Sequence, residues 1–191
     1  MKKQNSVRCI AEGAVMVALA LALSYLKIPI GLVFGGFGGS IDFVMIPLLV
    51  FAMHRGLDWG LGAGLVFGTL KFFFAGGSAI NWQSMILDYS VAYMFVGFAG
   101  VMKGKRAEGR AWALPLGALI GCFGRFVLHF LSGATIYASY FEDVFMGVRG
   151  LNPVTYSLLY NGTYMLPNTL LAVVLCALLA KPMAKLFRKM D

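Results

Sequence analysis

The chain carries polar and charged side chains inside stretches that are otherwise apolar. Asp88 lies in one such stretch, with no basic residue within a helical turn or two of it. His129 and Asn161 lie in two others, and Arg125 is near the middle of the stretch that holds His129. A charge inside an apolar segment is costly and by default marks a functional site. These residues therefore indicate a buried pocket for a small molecule.

Composition identifies the surroundings of that pocket. The 191 residues are 60% hydrophobic and 13% charged, and the mean hydropathy is +0.80. Soluble domains usually contain about a quarter charged residues, so these values exclude an ordinary soluble domain. At about 20 residues per membrane span, the length allows roughly six helices and no soluble domain. We expect an all-α integral membrane protein, a six-transmembrane-helix bundle in one membrane domain.

Hydropathy also sets approximate limits for the elements. The expected helices cover residues 7–27, 41–53, 57–74, 81–102, 111–136 and 154–180, with a lid loop over residues 28–40. The second helix is only about 20 Å long, so it could be a partial span. The glycine-rich loop before it could be a flexible connector or a mobile lid.

The first apolar segment has a second interpretation. Lys2 and Lys3, followed by the apolar run from Ala14 to Leu23, resemble the start of a signal peptide. The apolar region continues to Ile30 without a convincing small-residue cleavage site. A retained first helix is therefore favoured.

The basic residues predict the orientation of the bundle. Twelve of the 16 lie before the first helix, after the second, between the fourth and fifth, or after the sixth. They are Lys2, Lys3, Arg8, Arg55, Lys103, Lys105, Arg106, Arg110, Lys181, Lys185, Arg188 and Lys189. The other side has only Lys27, Lys71 and Arg149. Because cytoplasmic loops are rich in Lys and Arg, both termini are expected in the cytoplasm. The net charge of +8 then reflects topology, with no nucleic-acid partner.

Spacing groups the polar residues on shared helix faces. His129, Gly133 and Tyr137 fall at steps of four, Tyr89 follows Asp88, and Tyr156 precedes Asn161 by five residues. Residues three or four positions apart share a helix face. With the predicted topology they all lie in the outer half of the bilayer. We expect a pocket open to the outside, covered by the loop and by the connection from residue 137 to 152.

The residue types indicate the chemistry of the ligand. A carboxylate, an imidazole, an amide and several aromatic rings suit a flat, cationic, nitrogen-rich heterocycle. Each cation–π contact would contribute about 0.5 to 2 kcal/mol. Ordinary structural interpretations remain open, because a lone interfacial tyrosine can belong to an aromatic belt. Arg125 could likewise be a structural partner of Asp88 or of helix carbonyls.

Four stretches resemble a known family in order and spacing. GGSIDFVMIP, LDYSVAY, RFVLHFLSGATIYASY and NPVTYSLLYNGTYMLPN are similar to the thiamin-specific substrate-binding subunit, or S-component, of energy-coupling factor transporters. The resemblance implies a six-helix S-component in the bacterial cytoplasmic membrane, with one high-affinity thiamin site near the outer face and no cofactor. It is not an enzyme on this interpretation.

The resemblance also implies roles for individual positions. The residues that match the family's binding motifs are Asp88, Tyr89, His129, Tyr156 and Asn161. Asp88 stands where some members have glutamate, and Tyr137 where some have tryptophan. A lid-loop aromatic contributes in the family, and Phe34 or Phe37 could serve here.

Energy for transport must come from another protein on this interpretation. The chain contains no GxxxxGK[ST] nucleotide-binding loop. The family implies a transmembrane coupling subunit and two ATPase subunits as partners. Ala14, Ala18 and Ala22 form a stripe of small residues on the first helix. This stripe could pack inside the bundle, but the resemblance favours docking to the coupling subunit.

Three other functions are each compatible with part of the sequence. The ligand could be another small cationic or heterocyclic vitamin. A stand-alone proton-coupled carrier could use Asp88 and His129 as a relay, although no convincing internal repeat is evident. An intramembrane serine protease could use Ser132 and His129, but no nucleophile-turn motif is present.

Overall fold

The structure, a computed structural model, describes residues 6–30, 38–140 and 143–190, with the backbone alone for residues 185–190. Its six helices are α1 (Ser6–Leu23), α2 (Met45–Arg55), α3 (Leu57–Phe74), α4 (Trp82–Ala107), α5 (Ala113–Thr135) and α6 (Pro153–Met190). All except α2 are long and apolar enough to cross a membrane. The expected all-α membrane bundle is confirmed.

Helix α2 forms the centre of the bundle. Its 11 residues extend about 16 Å, roughly half the hydrocarbon thickness of a bilayer. Nearly all of its side chains are buried, among them Leu49 and Met53 with no exposed surface. A short helix that is apolar all round is stable only when other helices surround it. Helices α1, α3 and α5 and the middle of α4 enclose it.

Glycines let α3 lie directly on α4. Gly60, Gly64 and Gly68 recur every four residues on the face of α3 that meets α4. A Cβ added at Gly64 or Gly68 would lie 2.2 Å from a backbone carbonyl oxygen of α4. Small residues at such steps permit backbone contact between membrane helices.

Helix α4 is irregular where it approaches the polar face of the bundle interior. Residues Ile86–Val91 form a π-helical turn, and Gly97–Met102 form a 3₁₀ segment. A π turn inserts an extra residue and rotates the side chains that follow it. Asp88 and Tyr89 lie within this turn, so their direction depends on it.

Two short hairpins cover one end of the bundle. Strand β1 (Lys27–Ile28) pairs antiparallel with β2 (Ile41–Asp42), and these strands bracket the expected lid. Strand β3 (Val144–Phe145) pairs with β4 (Val148–Arg149) across a two-residue turn. Both turn residues have positive φ, at 50° and 83°, which matches the tight turns preferred in hairpins.

The strands account for the main differences between the expected and observed limits. The first helix, expected over 7–27, ends at Leu23, and the second, expected over 41–53, begins at Met45. Residues 27–28 and 41–42 pair with each other instead of extending those helices. The last helix continues to Met190 and has Pro182 in its interior.

The contact between α3 and α4 predicts a stability difference between two glycines. Gly68→Ala should destabilise the protein by about 1 to 3 kcal/mol, because the added Cβ would force two backbones apart. Gly62→Ala on the same helix is the control, since its Cβ would meet nothing within 4 Å. Thermal unfolding in detergent measures both. Equal melting temperatures for the two variants would contradict the assigned contact.

Candidate substrate-binding site

One cavity of about 640 Å³, including its open mouth, lies between α4, α5, α6 and the loop end at Gly38 and Gly39. Seven residues expected at the site from the sequence line it: Asp88, Tyr89, His129, Gly133, Tyr137, Tyr156 and Asn161. The eighth, Phe34, lies outside the described residues. The cavity is also lined by Ser78, Ser132, Ser157, Tyr160 and Tyr164.

The carboxylate of Asp88 is the acidic group of this cavity. The residue is 8% exposed, and Ser132 donates a hydrogen bond from Oγ to Asp88 Oδ2 at 2.9 Å. His129 Nδ1 lies 3.3 Å from Asp88 Oδ1. These two contacts orient the carboxylate. Among the described residues, no lysine or arginine lies within ion-pair distance of it. Asp88 therefore retains acceptor capacity for a ligand.

The amide of Asn161 lines the cavity and is hydrogen-bonded to its neighbours in the protein. Its Nδ2 donates to Ser157 O at 2.9 Å and to Ser157 Oγ at 3.1 Å, and it lies 3.3 Å from the carbonyl oxygen of His129. Its Oδ1 accepts the hydroxyl hydrogen of Tyr164. Both ends of the amide are thus engaged by the protein. Asn161 fixes the relative position of α5 and α6 behind the cavity wall.

Gly133 belongs to the same helix contact. A Cβ at this position would lie 2.3 Å from Ser157 Oγ, which itself donates to the carbonyl oxygen of Phe130 at 2.8 Å. The glycine therefore permits the close approach of α5 to α6. Because Gly133 has no side chain, it also leaves the adjoining cavity space empty.

Aromatic rings form one wall of the cavity. Tyr156 and Tyr160 stack with their centroids 6.0 Å apart and their planes 16° from parallel. Phe145 of the second hairpin meets both rings edge-on, at 5.4 Å and 5.9 Å. Tyr160 also packs edge-on against Tyr164, with the two ring centroids 5.8 Å apart. A column of rings of this kind offers negative π faces to a flat cation.

The opposite wall is formed by Tyr89 and Tyr137. The Tyr89 hydroxyl accepts from Ser78 N at 2.7 Å and lies 3.2 Å from Ser78 O. Its ring packs edge-on against Phe72 at 5.2 Å. Burial raises the pKa of the Tyr137 hydroxyl above its ordinary value, although a hydrogen bond with Ser84 acts in the opposite direction. Tyr137 is therefore uncharged at neutral pH.

The end of the expected lid is tied to α6. Asn168 donates to Ser40 O at 2.6 Å and accepts from Asp42 N at 3.0 Å. Tyr160 donates its hydroxyl hydrogen to the carbonyl oxygen of Gly38. Gly39, at φ +91°, lies so close to the Tyr164 ring that a Cβ would be 2.6 Å from it. The loop therefore re-enters the bundle in contact with the aromatic wall.

Lys71 and Arg125 are both buried inside the bundle. Lys71, expected on the outer side, is buried and lies 3.4 Å from Asp42 Oδ2, with its Nζ 2.7 Å from the Tyr93 hydroxyl. Burial acts to raise the pKa of Asp42, but the charges of Lys71 and Arg125 outweigh it and lower that pKa. The partnership considered between Arg125 and Asp88 is not formed. Arg125 instead lies over the Tyr93 ring, 4.4 Å from its centroid.

The sequence analysis predicts no binding-site role for the serines around the site. Ser132 was considered only as a nucleophile, yet it hydrogen-bonds Asp88, and His129 Nδ1 also lies beside Asp88. Its spacing of four from Leu128 and three from His129 already placed it on the cavity face. Ser157 and Tyr164 lie one turn on either side of Asn161, so the same rule could have found them.

Comparisons with known proteins identify relatives of this chain. The family described as thiamine transporter protein (Thia_YuaJ) matches residues 10–188. A thiamine transporter ThiT of Lacticaseibacillus paracasei is 31% identical, over 100% of this chain and 96% of its own length. One of Bacillus subtilis is 29% identical over 93% of each chain.

The fold has a counterpart among solved structures. The structure of ThiT from Listeria monocytogenes superimposes with a TM-score of 0.82 at 25% identity. The match covers 96% of this chain and 99% of that one. With a family match over almost its whole length and a relative above 30% identity, the chain belongs to the thiamine transporter protein (Thia_YuaJ) family.

Proposed function

We propose that this chain is the thiamin-binding S-component of an ATP-driven energy-coupling factor importer. It would capture thiamin in the cavity between α4, α5 and α6 and deliver it through a separate coupling module. The observation that carries the proposal is the buried carboxylate of Asp88, which faces a cavity walled by aromatic rings. The chain is a multi-pass protein of the bacterial cell membrane.

The chemistry of thiamin matches the groups of the cavity. Its thiazolium ring is permanently cationic, and its aminopyrimidine ring has both donors and acceptors. Asp88 supplies a countercharge and a hydrogen-bond acceptor, and the stacked Tyr156 and Tyr160 supply π faces. No cofactor is required for this binding.

The proposed activity is transport without catalysis. The hydroxyl of Ser132 is hydrogen-bonded to Asp88, so it is not paired with His129 as a nucleophile would be with its base. The sequence has no nucleotide-binding loop, so ATP hydrolysis belongs to two partner ATPase subunits. We place both termini in the cytoplasm from the distribution of basic residues, which puts the mouth of the cavity outside.

The stripe of small residues on α1 supports docking of a transmembrane coupling subunit. Ala14, Ala18 and Ala22 are all exposed on the bundle surface, whereas Gly13 and Val17 of the same helix are buried. The alanines are therefore not buried by packing against the part of the chain that the structure describes. An exposed face of small residues allows a second membrane helix to approach closely.

A stand-alone proton-coupled carrier is the second candidate. The distance of 3.3 Å between His129 Nδ1 and Asp88 Oδ1 is compatible with a proton relay. Uptake by vesicles separates the two functions. An importer of the proposed type requires ATP and its coupling subunits, whereas a carrier would respond to a pH gradient in their absence.

Replacement of Asp88 tests the binding site. Asp88→Asn should weaken thiamin binding by about 2 to 5 kcal/mol, because it removes the charge that faces the ligand. A titration of the detergent-purified protein, followed by intrinsic fluorescence, measures the affinity. Asp58→Asn, an exposed carboxylate at the start of α3, is the control and should bind normally. Normal affinity in both variants would remove Asp88 from the site. Riboflavin and thiamin monophosphate as competitors define the ligand class.

Replacement of Ala18 tests the docking face. Ala18→Trp should leave thiamin affinity unchanged but abolish uptake, because the large ring would hold the partner helix away from α1. Leu166→Trp, an exposed position on α6 at 69% relative accessibility, should preserve both. Binding and uptake are measured on the same preparations, the second after assembly with the coupling module. Normal uptake by Ala18→Trp would exclude this face as the docking surface.

A further inference from the structure

A second cavity adjoins the substrate-binding site. It occupies about 880 Å³, including its mouth, and shares Asp88, Tyr89, His129 and Tyr164 with the first. Its remaining wall includes three cationic side chains, which the first cavity lacks: Lys27, Lys71 and Arg125. The two spaces therefore differ in charge although they are continuous.

Two of these cations are buried around one ring. Lys71 is 8% exposed and Arg125 is 6% exposed. The ring of Tyr93 has Lys71 Nζ 5.0 Å from its centroid and Arg125 Cζ 4.4 Å from it. Lys27 is exposed at the mouth and lies 3.4 Å from the carbonyl oxygen of Ala75 through its Nζ. A positively charged path thus leads from the surface to the buried pair.

Arg125 has one buried donor, its Nε, that no side chain or backbone group of the described residues accepts from. No hydrogen-bond acceptor among the described residues reaches its buried Nε, and its Nη1 has the thioether of Met45 at 3.4 Å. No described carboxylate forms an ion pair with it. The nearby Asp42 is engaged by Lys71, by Ser40 and by the backbone of Val44. A buried N–H of a charged guanidinium is costly when it has no acceptor.

The charge balance changes when the substrate binds. In the ligand-free protein, Lys71 and Arg125 are matched in number by Asp42 and Asp88. On the proposed function, on which this step rests, a thiamin cation adds one positive charge beside them. An anion near Arg125 would restore the balance and supply the missing acceptor. A water molecule could accept a hydrogen bond but would leave the charge unchanged.

We propose that the second cavity is a binding site for a small inorganic anion, of the halide class, held between Arg125 and Lys71. A halide accepts hydrogen bonds from several directions, which suits donors converging from α3 and α5. Its charge stabilises the neighbouring substrate cation, so the two sites bind cooperatively. Thiamin affinity therefore depends on the anion in the buffer.

The first experiment is a thiamin titration in chloride and in gluconate at equal ionic strength. Equal ionic strength removes general screening as a cause. Chloride should tighten thiamin binding roughly five- to tenfold in a saturable manner, which is the low end of the usual range of coupling between sites. Arg125→Met should lose this dependence. Arg106→Met, which replaces a buried arginine that donates to Met53 O away from both cavities, should retain it.

The second experiment uses the protein without thiamin. The melting temperature should rise with chloride or bromide relative to gluconate, and crystals soaked in bromide should give an anomalous peak beside Arg125. Equal thiamin affinity and equal melting temperature in all three salts would overturn the proposal, as would a chloride effect that survives in Arg125→Met. Should that variant fail to fold, the position of the bromide peak in the wild type decides. Halide stabilisation without any thiamin binding would reject the proposed function and leave the anion site standing.

Discussion

The contact of Asp88 with Ser132 and His129 is the interaction on which the arrangement of the site depends. A carboxylate inside a membrane bundle is costly unless neighbouring donors satisfy it. One donor lies 2.9 Å away, and the imidazole lies 3.3 Å away. Both come from α5, so the acidic group of α4 can only be accommodated when these helices are correctly aligned. The glycine contact between α3 and α4 and the π turn around Asp88 fix that alignment from the other side.

Much of this could be predicted from side-chain type and spacing. The apolar stretches gave six helices, and α3 was expected over the same residues that it occupies. The lone carboxylate of Asp88 and the four-residue steps from His129 to Tyr137 placed those side chains around one cavity. These inferences succeed because helix periodicity and the cost of charge in lipid are local rules that need no knowledge of tertiary contacts.

The rest depends on contacts between residues far apart in sequence. Asn168 ties the loop end to α6, and Lys71 pairs with Asp42 across 29 positions. Neither pairing has a signal in spacing along one helix, so the sequence alone does not predict that Lys71 is buried beside Asp42. The hydrogen bonds at both ends of the Asn161 amide likewise depend on how Tyr164 lies relative to α5, which the sequence does not show. The π turn is equally hidden, because Ile86–Val91 has no glycine or proline to mark it.

The backbone contact between α3 and α4 limits how the cavity can change shape. Helices whose carbonyls and glycines touch cannot slide without leaving voids or clashes, so this pair behaves as a single rigid unit. The loop end beside Gly38 and the hairpin that carries Phe145 both contact tyrosine rings of α6, and Asn168 adds hydrogen bonds to Ser40 and Asp42. Those rings also face the ligand space. A ligand that displaces the Tyr160 ring would consequently break its hydrogen bond to Gly38 and its packing against Phe145, so that one side chain couples the ligand space to both segments.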